Sequence, residues 1–501
     1  TTGTLTMRPM DATWFIVAHE LTPDSFVGFN LYTMLTFFLK GLLLYAILHK
    51  LLPENPLFAI GAALLFIIFP ADDGLFTFRG MNIHTAVCLY LFAVYLLLSY
   101  HEKPRLLKLI GIWVSLIVCL FTYELPHPLI AVTPLILIWK ERQFSKSLFR
   151  VALLWWAAPL TAFLYAVAVF SSGSTYQSSV LGLSGLNRPG VVGEIVETIW
   201  MTYRRHFIDG WVIALQQINL TTSLIPFALA VGGMAAATIG VHLPAARHLT
   251  PAGNRRYVEL FMIGILIIFL GYIVYLITPY RQLTWRMYYF SGIGGAICIT
   301  SLVYLLVRGL RQWQVVFAAG MCVLISLAGV RALAQHEYYV GLSGQQQQLL
   351  RGIARAVPNF KVPAPLVVVD ETGRYQNNWS LGTSYLVENA LRYLYDDYTL
   401  HAVLCSFKPE QGVFAVLPEL REQCEFDTDA LRLFQDGAQV QSLDYSKMII
   451  VSVTEAGVRL LDSIPPEFLD GAGGEGYNPL PLVDSTAPLP YRYNTLFSIA
   501  D

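Results

Sequence analysis

Ten apolar stretches occupy most of the first 330 residues of this chain, and they constrain its fold more than any other feature. A helix needs about 20 mostly apolar residues to cross the hydrocarbon core of a bilayer. The pattern therefore predicts a mainly α-helical, polytopic membrane bundle of about ten transmembrane helices, of which the second and fifth are short. The expected spans are residues 27–49, 54–70, 83–100, 105–122, 125–139, 151–171, 218–242, 257–278, 289–307 and 312–330.

The composition supports a membrane protein and excludes several other classes. Hydrophobic residues make up 55% of the 501 residues, charged residues make up 13%, and the mean hydropathy is +0.53. Soluble domains carry roughly 25% charged residues, so an entirely soluble globular chain is excluded. Disordered and collagen-like classes are excluded for the same reason.

Charge divides the chain into two expected domains, 1–333 and 334–501. The first holds 22 Lys and Arg against 13 Asp and Glu, whereas the second holds 11 against 21. An acidic part binds polyanions poorly, so we expect no nucleic-acid partner. In the second part the strand-like runs 365–370, 401–407 and 447–453 surround a helix-like run, 381–395. Strands that alternate with helices predict a small α/β domain with a mostly parallel sheet.

Lys and Arg in the short loops predict the orientation, because cytoplasmic loops carry more of them. Alternate loops hold 13 such residues on one side and six on the other. The richer set is expected to be cytoplasmic, which places the C-terminal domain and the expected outer loops 1–26, 71–82, 172–217 and 279–288 outside the cytosol. We therefore expect a multi-pass protein of the plasma or inner membrane, in the cell envelope.

The N-terminal residues do not form a signal peptide, because they lack a basic start followed by an apolar stretch. Residues 11–20 are too short to span and predict an interfacial helix. Since an external N-terminus without a signal peptide needs an earlier span, we expect one further helix upstream and about eleven spans in the original topology.

Two adjacent acids, Asp72 and Asp73, follow the span that ends at Pro70. Carboxylates at a membrane surface repel each other and lose hydration, so they are candidates for a general base or for ligands of a cation or a sugar hydroxyl. The alternative is a solvated turn, because Ala-Asp-Asp-Gly is favourable turn chemistry. Both interpretations stay open.

Four arginines of the expected outer loops are candidates for binding a donor phosphate: Arg204, Arg205, Arg281 and Arg286. The planar guanidinium matches phosphate oxygens and also stacks on the aromatic residues nearby. The alternative is interfacial anchoring, since Arg, Tyr and Trp are common at that depth.

Further candidates are Lys40, Glu124 and His127. Lys40 lies inside the first span, where it either pairs with an internal acid or extends to the membrane surface. Glu124 and His127 form an outward acid and histidine pair, or the end of a helix broken by prolines. Cys405 and Cys424 are disulfide candidates if the C-terminal domain lies outside the cytosol. No cysteine and histidine pattern predicts a metal site.

The N-terminal stretch resembles a known family. The run Thr6-Met7-Arg8-Pro9-Met10, an aromatic amphipathic segment and then Gly28-Phe29-Asn30-Leu31 at the start of a long span resemble GT-C-type membrane glycosyltransferases, and most of all the protein O-mannosyltransferase-like branch. The next outer loop, with its acids and Arg79, is also similar. The resemblance covers about residues 5–100 well and the remaining spans by architecture alone.

This resemblance implies transfer of a sugar from a polyprenyl-phosphate donor to an acceptor outside the cytosol, with a carboxylate as base and polar and cationic side chains that hold the lipid phosphate. It implies no nucleotide cofactor, and it leaves open whether a divalent cation is needed. Arg8 and Arg79 are further candidate site residues.

The family's first acidic motif precedes the Arg-Pro pair and is not within the 501 residues. A non-catalytic accessory subunit, associated with other membrane subunits, is therefore the alternative, and a transporter or flippase ranks third because only Lys40 and Glu259 are charged near or within spans.

Overall fold

The computed structural model of the 501-residue chain forms two compact units, Thr1–Glu337 and Tyr338–Asp501. The structure describes residues 8–23, 25–77, 80–171, 190–218, 224–246, 253–277, 288–375, 381–406, 422–435, 438–469, 474 and 476–497.

The described residues of the first unit form helices joined by turns and contain no strand. Its helices are α1 (Asp11–Leu21), α2 (Val27–Leu51), α3 (Pro56–Ile67), α4 (Met81–Glu102), α5 (Leu106–Thr122), α6 (His127–Val132), α7 (Leu135–Glu141), α8 (Lys146–Ser171), α9 (Val191–Arg204), α10 (Gly210–Ile218), α11 (Leu224–Ala246), α12 (Asn254–Leu270), α13 (Ser291–Val307) and α14 (Trp313–Ala356). A π-helical turn, Arg205–Asp209, joins α9 to α10, and a 3-10 turn, Ile273–Ile277, follows α12.

Five of the described helices are long and apolar enough to cross a membrane: α2, α4, α8, α11 and α14. Three shorter apolar helices, α3, α5 and α13, add to them. The mainly helical, membrane-like character expected from the sequence is therefore confirmed, whereas ten spans are not shown. The expected fifth span is divided into α6 and α7 at Pro134 because proline lacks the amide hydrogen that a continuous helix needs.

The last apolar helix continues well beyond the end expected for it. The apolar run ends near residue 330, but α14 extends to Ala356. The polar residues after 330 are compatible with a helix, so hydrophobicity alone does not mark where this helix ends.

Close packing of α12 and α13 depends on two glycines. A methyl group added at Gly264 would lie 2.8 Å from the carbonyl oxygen of Gly294, and one added at Gly294 would lie 2.4 Å from that of Gly264. Small residues let membrane helices approach this closely. A third glycine, Gly295, leaves space for the rings of Phe69 and His206, so α13 packs directly beneath the segment that joins α3 to α4.

The second unit contains two sheets. Its strands are β1 (Leu366–Asp370), β2 (Ala402–Ser406), β3 (Glu422–Phe426), β4 (Ala430–Gln435), β5 (Ala438–Asp444), β6 (Ile449–Thr454) and β7 (Gly457–Leu460). One sheet has the order β2-β1-β6-β7, in which β1 pairs in parallel with both β2 and β6 and β7 is antiparallel. The other sheet is antiparallel, with the order β3-β4-β5.

Both faces of the parallel sheet are covered, which explains the unbroken apolar run of β1. Leu366 and Val368 pack with α15 (Ser384–Tyr395) and the end of α14, whereas Val367 and Val369 pack with the antiparallel sheet. Buried parallel strands are hydrophobic on both faces. The small sheet region expected in the C-terminal part is confirmed, and within it β1 pairs in parallel with β2 and β6. The antiparallel sheet was not expected from the sequence.

Cys405 on β2 and Cys424 on β3 are joined as a disulfide, with their Cα atoms 5.5 Å apart. The bond ties the edge of the parallel sheet to the antiparallel sheet. It closes a segment with a sequence separation of 19 residues.

We predict that Cys424→Ser lowers the unfolding free energy of the second unit by about 3 kcal/mol, because a cross-link over a segment of this length restricts the unfolded chain. Hydrogen exchange of β1 and β6 in the full chain measures the change. Cys322→Ser, which removes a free and half-buried thiol from α14, is the control and should leave that exchange unchanged. Equal protection in the two variants would contradict the prediction.

Candidate functional site

The segment between α3 and α4 carries the two candidate acids, and its backbone is held by three side chains. The carbonyl oxygen of Ala71 accepts a hydrogen bond from Arg205 Nε at 3.3 Å, and that of Gly74 accepts one from the Tyr289 hydroxyl at 2.7 Å. Between them, Gln335 Nε2 donates to the carbonyl oxygen of Asp72. The turn is therefore anchored by residues that are distant in sequence.

Asp72 is buried, with 6% of its surface exposed. Its Oδ1 atom accepts a hydrogen bond from the amide of Gly74 at 3.1 Å, which is the local bond expected of a turn aspartate. The turn interpretation thus describes its local geometry, but the side chain is not solvated. Burial raises the pKa of Asp72 to about 7, although the positive charge of Lys40 acts in the opposite direction.

Lys40 lies in the interior of the first unit, with 3% of its surface exposed. Its ammonium nitrogen lies 4.6 Å from the ring centroid of Phe37 and 5.1 Å from that of Phe66. Cation–π contacts partly replace the hydration that a buried ammonium loses. The burial of Lys40 and its electrostatic interaction with Asp72 together favour an internal charge partner over a side chain that extends to the membrane surface.

Asp73 is bound by two guanidinium groups, one on each carboxylate oxygen. Arg205 Nη2 donates to Oδ2, and Arg331 Nη2 donates to Oδ1. The exposed fractions of the three side chains are 21% for Asp73, 13% for Arg205 and 12% for Arg331. Ion pairs with ionised donors and acceptors are stronger than neutral hydrogen bonds, so this cluster fixes α9, α14 and the acidic turn relative to one another.

Two buried histidines border the same segment. The Nε2 atom of His84 lies 3.3 Å from the carbonyl oxygen of Leu75, and Nδ1 of His206 lies 2.8 Å from that of Thr202. The other ring nitrogen of each histidine is buried and has no hydrogen-bond partner among the described residues. His206 belongs to the π-helical turn, a distortion that is frequent at functional sites.

The four candidate phosphate-binding arginines have different positions. Arg205 joins the acidic turn, whereas its neighbour Arg204 is 53% exposed and pairs with Asp209 at 2.8 Å. Adjacent residues of a helix point about 100° apart, so the two side chains do not share a surface. Arg281, Arg286 and the additional candidate Arg79 lie outside the described residues.

Arg8 and Glu124 form a second charged pair. Two guanidinium nitrogens of Arg8 contact the two oxygens of Glu124 at 2.5 Å each, and the guanidinium lies 4.8 Å from the ring centroid of Tyr123. Burial alone would raise the pKa of Glu124, but Arg8 outweighs that effect and holds the pKa below its ordinary value. Glu124 is thus a structural anion that fixes the N-terminal segment on α5.

The histidine expected to act with Glu124 contacts its backbone instead. His127 Nδ1 lies 2.6 Å from the carbonyl oxygen of Glu124, while the carboxylate faces Arg8. This contact lies at the junction that contains Pro126, between the end of α5 and the start of α6, where the alternative interpretation expected a helix broken by prolines.

Sequence reasoning missed two residues of the site, Arg331 and Gln335. Both lie on α14, one helical turn apart, just beyond the apolar run 313–330. The available signal was the first charged residue after the last span. The pairing of Arg331 with Asp73 depends on which ends of the helices meet in the fold, and the spacing of residues along the sequence does not reveal that.

A separate set of ion pairs lies at the other end of α4 from the acidic turn. Glu102, in the last turn of α4, pairs with Lys50 at 2.6 Å and with Lys140 at 3.0 Å. Glu259 is bound by Arg142 and Arg255, so it is part of a salt-bridge network and not an isolated charge in a span.

The described residues contain no group of three or more His, Cys, Asp or Glu side chains that could hold a metal ion. No family model, no curated protein and no solved structure matches the chain. The chemistry of the site therefore has to be inferred from the side chains that the fold brings together.

We predict that Glu124→Gln lowers the unfolding free energy by about 2 kcal/mol at pH 7, because Arg8 loses its charged partner in a partly buried position. Since the pKa of Glu124 is lowered in the folded state, the pair stabilises the fold above the ordinary glutamate pKa of about 4.3, and that stabilisation is lost as the pH falls further. Thermal unfolding of the chain in detergent between pH 3 and pH 8, values chosen to lie on both sides of that pKa, measures both effects.

The control for this experiment is Glu20→Gln, which changes an exposed glutamate of α1. It should leave the unfolding midpoint within the error of the wild type. A Glu124→Gln midpoint equal to that of the control at pH 7 would show that the pair contributes nothing to stability.

Proposed function

We propose that this chain is a membrane glycosyltransferase of the GT-C type, which transfers a sugar from a polyprenyl-phosphate donor to an acceptor on the extracytoplasmic side. The observation that carries the proposal is the acidic turn at Asp72 and Asp73, which is buried among cationic side chains at one end of an apolar helix bundle. Such a transfer needs a base for the acceptor hydroxyl and cations for the leaving phosphate. A lipid-held donor needs no nucleotide-binding fold.

Asp72 is the proposed general base. A base works best when its pKa lies close to the working pH, and burial raises the pKa of Asp72 to about 7. Asp73 is less suitable, because both of its oxygens already accept hydrogen bonds from guanidinium groups. In this proposal Lys40 is a positioning residue whose charge limits how far the pKa of Asp72 rises.

Arg205 and Arg331 are the proposed phosphate-binding residues. They converge on one anion from two different elements, as a bidentate phosphate site requires. Arg331 thus takes the place of Arg204 among the arginines expected to bind the donor phosphate, since Arg204 pairs with Asp209. Arg281 and Arg286 keep the phosphate-binding role expected of them from the sequence.

Two observations support the proposed sidedness of a multi-pass protein. The disulfide between Cys405 and Cys424 is typical of a compartment outside the cytosol, which supports an external C-terminal unit. The basic residues Lys50 and Lys140 pair with Glu102 at the end of α4 opposite the acidic turn, and basic residues favour the cytoplasmic face. We place the acidic turn outside the cytosol on this basis.

A non-catalytic subunit is the second candidate, and one observation favours it. Asp73 with its two arginines and Glu124 with Arg8 form the paired charges that a structural scaffold also uses. The two candidates differ in whether purified chain transfers sugar. An ion-coupled transporter has less support, because Glu259 belongs to a salt-bridge network near the end of a helix.

We predict that Asp72→Asn lowers the rate of sugar transfer by about 100-fold or more, the range in which a general base contributes. The assay supplies membranes with a labelled polyprenyl-phosphate hexose and measures the label in the acceptor fraction. Asp209→Asn, which changes the acid paired with the exposed Arg204, is the control and should retain its rate. An unchanged rate in Asp72→Asn would remove this residue from the mechanism.

We also predict that the transfer rate of the wild type rises with pH through about 7, because the base must lose its proton and its pKa lies there. Lys40→Met should move this rise to higher pH, since the charge of Lys40 lowers the pKa of Asp72. Lys50→Met is the matched control, because Lys50 pairs with Glu102 at the other end of α4. A pH profile that is the same in the two variants would contradict the electrostatic role of Lys40.

A further inference from the structure

The two arginines at Asp73 have the arrangement of an anion-binding site. They come from the π-helical turn and from α14, and each donates to a different oxygen of one planar carboxylate. Guanidinium groups bind phosphate oxygens with the same kind of geometry. The carboxylate of Asp73 therefore takes the place that two oxygens of a phosphate group would take.

The described side chains around this position carry more positive than negative groups. Lys40, Arg205 and Arg331 are the cations, and Asp72 and Asp73 are the carboxylates. With every group ionised, one positive charge is left over, and protonation of Asp72 increases the excess. A group with two negative charges is thus better matched to this site than the single charge of Asp73.

The site would keep its shape if the carboxylate moved. Arg205 is anchored independently through Nε on the carbonyl oxygen of Ala71, and Arg331 lies within a continuous helix. The turn itself is held through the backbone of Asp72 and Gly74. Asp73 leaves the two guanidinium groups by rotation of its side chain, which is the most exposed of the three.

Arg331 also has hydrogen-bonding capacity to spare. Its Nε atom is buried and has no partner among the described residues. A buried donor without a partner is costly, and an anion with three or more oxygens offers acceptors that a carboxylate does not.

We propose that Arg205 and Arg331 form an anion slot that Asp73 and a ligand phosphate occupy in turn, so that Asp73 is an internal competitor of the phosphate group. This inference rests on the proposed function, in which the anion is the phosphate of the lipid: a diester with one negative charge in the donor, and a monoester with up to two negative charges once the sugar has been transferred. Competition by Asp73 weakens the binding of the donor and of the lipid phosphate that is released after transfer. Asp73 thereby assists release of that product.

The test measures phosphate binding without measuring sugar transfer. The full chain in lipid nanodiscs is titrated with inorganic phosphate at constant ionic strength, and the thermal unfolding midpoint is followed. Without phosphate, we expect Asp73→Ala to unfold at a lower temperature than the wild type. Phosphate should then stabilise this variant, with an apparent Kd for phosphate at least about tenfold lower than that of the wild type.

Two variants serve as matched controls. Asp209→Ala removes the carboxylate that pairs with the exposed Arg204 and should respond to phosphate as the wild type does. The double variant Asp73→Ala with Arg331→Gln should not bind phosphate more tightly than the wild type, because it lacks one of the two guanidinium groups of the slot. If Asp73→Ala does not fold, Asp73→Asn keeps the size of the side chain, removes its charge and carries the same test.

The slot is overturned if phosphate stabilises Asp73→Ala, or Asp73→Asn in its place, no more than it stabilises the wild type. A second titration with a short-chain isoprenyl phosphate in the nanodisc identifies the source of the anion. A gain with the isoprenyl phosphate, a monoester like the lipid product of the transfer, supports the assignment to the lipid phosphate, whereas a gain with inorganic phosphate alone overturns that assignment and leaves a site for free phosphate. If phosphate binds Asp73→Ala more tightly, as expected, but the wild-type chain transfers no sugar, the slot is upheld and the proposed function is rejected.

Discussion

Charges buried among apolar helices have to be paired, and in this protein the ion pairs of Asp73 link helices at one end of the first unit. Removing a charge from water costs several kcal/mol unless a partner and hydrogen bonds replace the lost hydration. Asp73 meets this requirement through Arg205 and Arg331, which lie in elements far apart in sequence. The acidic turn, the π-helical turn and α14 therefore meet where this carboxylate is neutralised.

The same requirement explains why the two neighbouring aspartates differ. Asp73 has both oxygens on guanidinium groups, whereas Asp72 is buried and receives a backbone amide and the field of Lys40. One side chain is suited to hold cations in place, and the other has a pKa near neutrality. Two adjacent residues of the same type thus acquire different chemistry from their surroundings, a division that is common where carboxylates act together.

The sequence predicted the secondary-structure class of each unit well, but it did not predict which residues contact one another within a unit. Apolar runs predicted the long apolar helices of the first unit, and alternating β and α patterns predicted the parallel strands β1, β2 and β6. The antiparallel sheet was missed because β5 is almost entirely exposed and because β3 and β5 carry many polar residues, so neither has an apolar pattern that marks it as a strand. Pairing of Arg8 with Glu124 was missed for a different reason, since the two residues are 116 positions apart and no local pattern connects them.

Composition, hydropathy and charge by themselves determined that this is a membrane-like helical chain with an acidic α/β unit, because these properties depend on the solvent that each segment prefers. Tertiary structure alone decided which charged residue meets which. Arg204 and Arg205 are equivalent by sequence, yet one faces Asp209 and the other faces Asp73, because a step of one residue turns the side chain by about 100° around the helix. Arg331 belongs to the site because the packing of α14 places it beside the acidic turn. Such proximity depends on how whole helices pack and not on the residues next to Arg331 in the sequence.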